Sequence, residues 1–276
     1  MTHFCKIVLI GMIFALAAPA AAQGLPEHIQ KAGKIVVATK PNYPPITYKD
    51  PGTNQLMGLD IDLGEAIAKE LGVAIEWQDT EFAQIFSSLQ TGRVDMALQG
   101  ISDLPTRQEV ADFVDYLRTG SQFYTSQANA AGLKNPGDLC GKTVGASRST
   151  NWPKKIEEWS DANCVAKGKP AIQVVGTEGS ADARTQLKSG RIDAAVQGLE
   201  TLPYFQKLEP GQYVLIGQPF TEDLMGIPFT KKNTQLRDAV KKALEQLQAK
   251  GIYDQILAKY GLQANKYAPI AINQGK

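Results

Sequence analysis

Apolar and polar positions along the chain alternate between two periods. Residues 34 to 39 (KIVVAT) form a short β-branched run, the signature of a buried strand. After a proline-rich turn at Pro41 to Pro45, residues 61 to 71 (IDLGEAIAKEL) place apolar side chains at helical spacing and stop at Gly72. That predicts a helix with a glycine just past its end. Residues 73 to 77 read as a second strand. Helix, strand and turn keep alternating, which predicts α/β layers with parallel strands.

One segment occurs twice. Leu89 to Gly100 reads LQTGRVDMALQG, and Leu187 to Gly198 reads LKSGRIDAAVQG. Each predicts a helix closed by glycine, then a short strand ending in Gln-Gly. Two similarly built lobes account for the repeat, each offering the carboxyl end of a strand to a shared crevice, where open α/β sheets bind ligands. Gly100 and Gly198, lacking Cβ, would let the backbone approach that ligand. For Asp95 and Asp193 the simpler reading is local pairing. Crossings between lobes are expected in the polar stretch 125–132 and in 217–223 (GQPFTED), which inserts the second lobe into the first. The expected boundaries are lobe 1 over residues 23–124, lobe 2 over 125–219 and a return to lobe 1 over 220–276, with a helical pattern from Leu236 to Leu262.

The N-terminus changes the expected compartment. Lys6, the apolar run from Ile7 to Leu16 and the small residues Ala17 to Ala22 read as a secretory signal peptide over residues 1–22, cleaved before Gln23. The run is too short to span a bilayer. With Cys5 removed, Cys140 and Cys164 are most simply one disulfide in an oxidising compartment. His3 and His28 are the only histidines, so the core has none for a triad, a zinc site or a general base, and no metal or cofactor is expected. A formal net charge of +1 gives no uniform field to recruit nucleic acid or anionic lipid.

Two places carry candidate chemistry. Arg107 follows Ser102-Asp103-Leu104-Pro105, where Pro fits the first turn of a helix. A cation there opposes the helix dipole and calls for an anionic partner, and guanidinium matches carboxylate bidentately; the competing reading is an exposed surface arginine. Ser149-Thr150-Asn151-Trp152-Pro153 reads as a helix N-terminus, with free N–H groups suited to an anion.

The chain resembles the bacterial family 3 extracellular solute-binding proteins, receptors of polar amino-acid ABC importers. The resemblance rests on Gly33 to Val37 with Tyr43-Pro44-Pro45, on Gly58 to Leu63, and on Gly-Arg-Val-Asp at 92 to 95. It continues with Gly100-Ile101-Ser102 leading to Pro105-Thr106-Arg107, then with Asp138 to Gly145, Gly251-Ile252-Tyr253 and Lys259-Tyr260-Gly261. It implies a two-lobed type II periplasmic-binding-protein fold that closes on an amino acid or related carboxylate and delivers it, as a monomer, to an inner-membrane permease. Arg107 then resembles the α-carboxylate clamp, assisted by Ser102 and the Thr150–Asn151 helix terminus. Gly100 matches the carbonyl that accepts from the α-ammonium, Tyr43 and Phe82 the aromatics that sandwich the ligand side chain, and Trp152 a second-lobe contact. Two departures stand out. Gly198 replaces the acid expected for the α-ammonium, which leaves Glu200 as its substitute or as a solvated surface residue. Lys40 stands where receptors of cationic amino acids carry an acid, which argues against lysine or arginine as ligand. The alternative function is a secreted enzyme resembling cyclohexadienyl dehydratases, with only Glu200 or Lys40 to serve as acid or base.

Overall fold

The computed structural model describes residues 24–276, and the expected signal peptide lies outside them. The first lobe begins with α1 (Glu27–Ala32), β1 (Lys34–Thr39), β2 (Asn42–Tyr43), β3 (Thr47–Lys49) and β4 (Leu56–Met57). It continues with α2 (Leu59–Leu71), β5 (Ala74–Asp79), α3 (Ile85–Gln90), β6 (Met96–Ala97), the single turn α4 (Pro105–Gln108) and β7 (Ala111–Thr119). The second lobe holds β8 (Ser121–Ser126), β9 (Thr143–Ser147), α5 (Trp152–Asn163), β10 (Gln173–Thr177), α6 (Ser180–Lys188), β11 (Ala194–Gly198), α7 (Leu202–Leu208) and β12 (Tyr213–Ile216). The chain returns through β13 (Asp223–Thr230), α8 (Thr234–Ala249), α9 (Ile252–Tyr260) and β14 (Lys266–Ile272).

Parallel pairing forms the heart of each lobe: β1 lies between β5 and β6, and β9 between β10 and β11. Antiparallel pairs, not expected from the sequence, join β7 to β13 and β14, and β8 to β11 and β12. Helix α2 forms because Leu59, Leu63, Ile67 and Leu71 recur every four residues on one face. That face packs into the same core as Leu236, Val240, Leu244 and Leu247 of α8.

The repeated segment does the same job twice. The Asp95 carboxylate accepts from Val36 N at 2.8 Å while Asp95 N donates to Val36 O. The Asp193 carboxylate accepts from Thr143 N at 2.8 Å while Asp193 N donates to Thr143 O. Each aspartate thus ties the start of its lobe's last parallel strand to the strand beside it.

The expected first crossing at 125 is corrected by the pairing, because β8 already belongs to the second sheet and the chain changes sheets at Gly120. Only Gly120 separates β7 from β8 in sequence. A Cβ at 120 would lie 2.3 Å from Thr221 O. The second passage runs between β12 and β13.

Beyond the helical pattern, β14 and the residues after it were not foreseen. Asn273 N donates to Phe113 O, Gln274 N to the Asp115 carboxyl at 2.9 Å, and Gly275 N to the Asp103 carboxylate at 2.7 Å. Two carboxyls are therefore buried side by side under this tail. Burial, relieved in part by the Gln274 amide and reinforced by neighbouring Asp103, pushes the Asp115 carboxyl up to about 8. Asp60 of α2, fully buried, accepts from Tyr116 Oη at 2.7 Å and Gly100 N at 2.8 Å, and burial pushes it up to about 7.

The Cys140–Cys164 disulfide forms as expected, bridging the chain before β9 to the end of α5. Replacing both cysteines with serine should lower stability to denaturant by about 3 kcal/mol, from the loop entropy returned to the unfolded chain; an unchanged denaturation midpoint would contradict this. A second expectation follows from the raised carboxyls. Asp60 and Asp115 keep protons in the folded chain at pH values where the unfolded chain has released them, so stability falls as pH rises through about 7 and 8. Thermal midpoints measured from about pH 5.5 to 8.5 should decline. Asp115→Asn, whose amide can donate to Asp103 at any pH, should flatten the upper part of that decline, and a parallel curve for the mutant would count against the carboxyl pair as its cause.

Candidate functional site

Between the lobes lies a cavity of about 290 Å³. Its walls come from the loops that follow β1, β5 and β6 in lobe 1 and β9 and β10 in lobe 2, the carboxyl ends of parallel strands, and from the crossing strands at Thr119–Gly120 and Asp223. The lobes also touch each other: Ser180 Oγ reaches Asn42 O at 3.4 Å, and the Tyr48 and Tyr204 rings lie 5.5 Å apart.

The sequence-derived residues Arg107, Ser102, Gly100, Tyr43, Phe82, Thr150, Asn151 and Trp152 all line this cavity. Arg107 sits in α4, its guanidinium donating to Ser102 O at 2.9 Å and lying 5.5 and 5.7 Å from the Phe82 and Phe86 ring centres. Among the described residues no carboxylate pairs with it. Burial, opposed by the nearby Asp103 charge, lowers its pKa to about 10, so it remains a cation at neutral pH. Ser102 is fixed by a bridge to Met225 of β13. Phe82 lies against Arg107, and Tyr43 faces Trp152 at 6.4 Å.

At the start of α5, Thr150 Oγ1 donates to Ser147 O and accepts from Trp152 N, so its hydroxyl organises the helix entry. The neighbouring Asn151 Nδ2 is a buried donor with no partner among the described residues. An unsatisfied buried donor costs about 1–3 kcal/mol, which a ligand oxygen in the cavity would recover.

Two expected site residues are placed elsewhere. Lys40 does not line the cavity; its ammonium bonds Asp79 at 2.9 Å and Glu81 at 2.7 Å. Lysine reaches outward to its nearest acids, so its position in sequence carries no charge into the cleft. Glu200 is neither a solvated surface residue nor part of the wall. It is 1% exposed and accepts from Tyr43 Oη and Thr119 Oγ1. Gly198 is also off the cavity, because the Glu200 carboxylate folds back over it.

Several lining residues were missed. Asp223, at the start of β13, lines the cavity and accepts from Thr221 Oγ1; its segment read only as a crossing. Glu178 and Ser180, at the entry to α6, were findable because they follow a parallel strand of the second lobe. Glu81 and Thr119 carried no local signal. Among the described residues no group of three or more His, Cys, Asp or Glu could hold a metal, and no helix is long and apolar enough to cross a membrane.

Comparison with known proteins agrees with this geometry. A sequence model of the bacterial extracellular solute-binding proteins, family 3, matches residues 35–263. The arginine-binding protein ArgT of Corynebacterium glutamicum is 27% identical over 91% of this chain and 81% of its own. The amino acid ABC transporter substrate-binding protein AbpA of Streptococcus pneumoniae, solved with L-arginine, superposes with a TM-score of 0.74 at 27% identity, covering 88% of this chain and all of that one. The dehydratase alternative gains only a likeness to an ancestral amino-acid-binding protein described as a precursor of cyclohexadienyl dehydratase, with a TM-score of 0.73 at 30% identity over 85% of this chain and 98% of that one. The relatives are solute-binding proteins and not enzymes. With its two lobes, its interlobe cavity and a family match over most of its length, the chain belongs to the bacterial extracellular solute-binding proteins of family 3.

Proposed function

We propose that the chain, exported by its signal peptide and working as a monomer in the periplasm, closes on one amino acid and presents it to an inner-membrane ABC permease. The ligand α-carboxylate is held by Arg107, with Ser102 below it and the Asn151 amide and α5 terminus opposite. The α-ammonium lies toward Asp223 and the Gly100 carbonyl. The observation that carries this orientation is the desolvated Arg107 guanidinium, with no carboxylate partner among the described residues, in a cavity that also presents the carboxylate of Asp223. The cavity is at the small end of ligand pockets, a size suited to a single amino acid.

The lining leaves room for a basic ligand side chain. Glu81, Glu178 and Asp223 line the cavity with the cation Arg107; Glu81 is paired with Lys40 at 2.7 Å and Glu178 with Arg148 at 2.9 Å, and Asp223 has no cation partner among the described residues. With Lys40 bound to Asp79 and Glu81, the sequence argument against lysine or arginine loses its ground. The arginine-binding relatives point the same way.

Calorimetry with the standard L-amino acids and L-cystine tests the reading, with L-arginine and L-lysine expected to bind tightest. Arg107→Ala should weaken the best of them by 100-fold or more, from the roughly 3 kcal/mol lost when one partner of a buried charge pair is truncated. Near-native affinity in a mutant with unchanged circular dichroism would refute the carboxylate clamp.

A further inference from the structure

Glu200 is a deeply buried acid beside the cleft, 1% exposed, and yet it does not reach the cavity. One carboxylate oxygen accepts from Tyr43 Oη, on lobe 1, and the other from Thr119 Oγ1, on the crossing strand β7. Both of those residues do line the cavity. Their bonding has a chemical consequence. A hydroxyl has one proton, and when that proton points at a carboxylate the oxygen has only lone pairs left to offer elsewhere. The carboxylate strengthens this by polarising the O–H bond in a region of low dielectric.

The local sequence makes this geometry possible. Thr201 N and Thr201 Oγ1 both bond Gly198 O, forming a tight turn that folds Glu200 back over the end of β11. A Cβ at 198 would lie 1.9 Å from the nearer Glu200 oxygen and 2.4 Å from Tyr43 Oη. Position 198 can therefore be only glycine while Glu200 sits where it does. Across the β7–β13 ladder, Thr119 is paired with Asp223, so both acids converge on the same end of the cavity.

We infer that Glu200 acts on the ligand at one remove, as a buried positioning charge that makes the Tyr43 and Thr119 hydroxyls paired acceptors for an α-ammonium. The role of Glu200 here differs from direct contact: Asp223 supplies the charge at the wall, and Glu200 sets which way two hydroxyl protons point. This rests on the amino-acid reading above and adds to it a means of selecting a free ammonium over a missing or fully methylated one.

Three variants test it. Thr119→Val keeps the side-chain shape without the hydroxyl, Tyr43→Phe keeps the ring, and Glu200→Gln introduces an N–H donor that forces one hydroxyl to turn its proton toward the cavity. Calorimetry first identifies the tightest binder among the standard L-amino acids and L-cystine, then compares it with its own des-amino carboxylic acid. Each variant should weaken the amino acid by about tenfold and leave the des-amino acid unchanged. Arg107→Ala weakens both. A merely structural role would instead weaken the two compounds equally, and that result overturns the inference, as does wild-type affinity for the amino acid in both Thr119→Val and Tyr43→Phe. If wild-type protein binds none of the amino acids, the amino-acid reading fails and the hydroxyl relay fails with it; loss of discrimination alone leaves that reading standing.

Discussion

At Gly120 and Thr221 the two passages between the lobes run so close that there is no room for a side chain at 120. Ser121 N donates to Thr221 Oγ1, Phe220 N donates to Ser121 O, and Thr221 Oγ1 donates in turn to the Asp223 carboxylate. This small set of bonds makes one hinge of two strands. Residues on either side of it, Thr119 and Asp223, belong to the cavity wall. On the far side of the hinge, Glu200 and Trp152 of the second lobe lie against Tyr43, while Arg107 and Gly100 belong to the first.

The cleft is built from charges that the protein leaves incompletely satisfied. Arg107 is desolvated against two phenylalanine rings and donates to the Ser102 carbonyl, and the Asn151 amide is buried with no partner among the described residues. Elsewhere the chain pairs its charges closely, as with Arg237 and Asp112 at 2.6 Å or Lys259 and Asp62 at 2.6 Å. The contrast separates groups that hold the fold from groups kept free for a ligand. Each buried donor left unsatisfied costs free energy, and a ligand carboxylate accepting from it removes that cost.

What could be read in the sequence was set by local periodicity and by turn chemistry. Strand β1 and helix α2 follow from runs whose apolar spacing is decided within a few residues, and the duplicated Leu-to-Gly segments show the matching helix–strand steps of both lobes. Arg107, Ser102 and the Thr150 helix entry were legible because each is announced by a proline or a capping residue nearby. The misplacements share another cause. Lys40 and Glu200 have long side chains whose direction depends on partners 39 to 157 positions away, and no window of sequence contains both ends of such a contact. Asp223 was hidden because a crossing strand carries no amphipathic pattern, and β14 because its pairing with β7 is made across more than 140 residues.

That last pairing sets the order in which the lobes can be completed. The second lobe is continuous in sequence from β8 to β12, so all its strands are available once residue 216 has emerged. The first lobe is not. Its sheet of β13, β7 and β14 and the amides that cover Asp103 and Asp115 draw on residues 223 to 275. A chain threaded outward from its N-terminus can thus assemble the inserted lobe, with its disulfide, while the lobe that begins first still has an open edge and two uncovered carboxyls. Closing long separations is slow. During that interval β7 lacks both of the strands, β13 and β14, that flank it in the finished sheet.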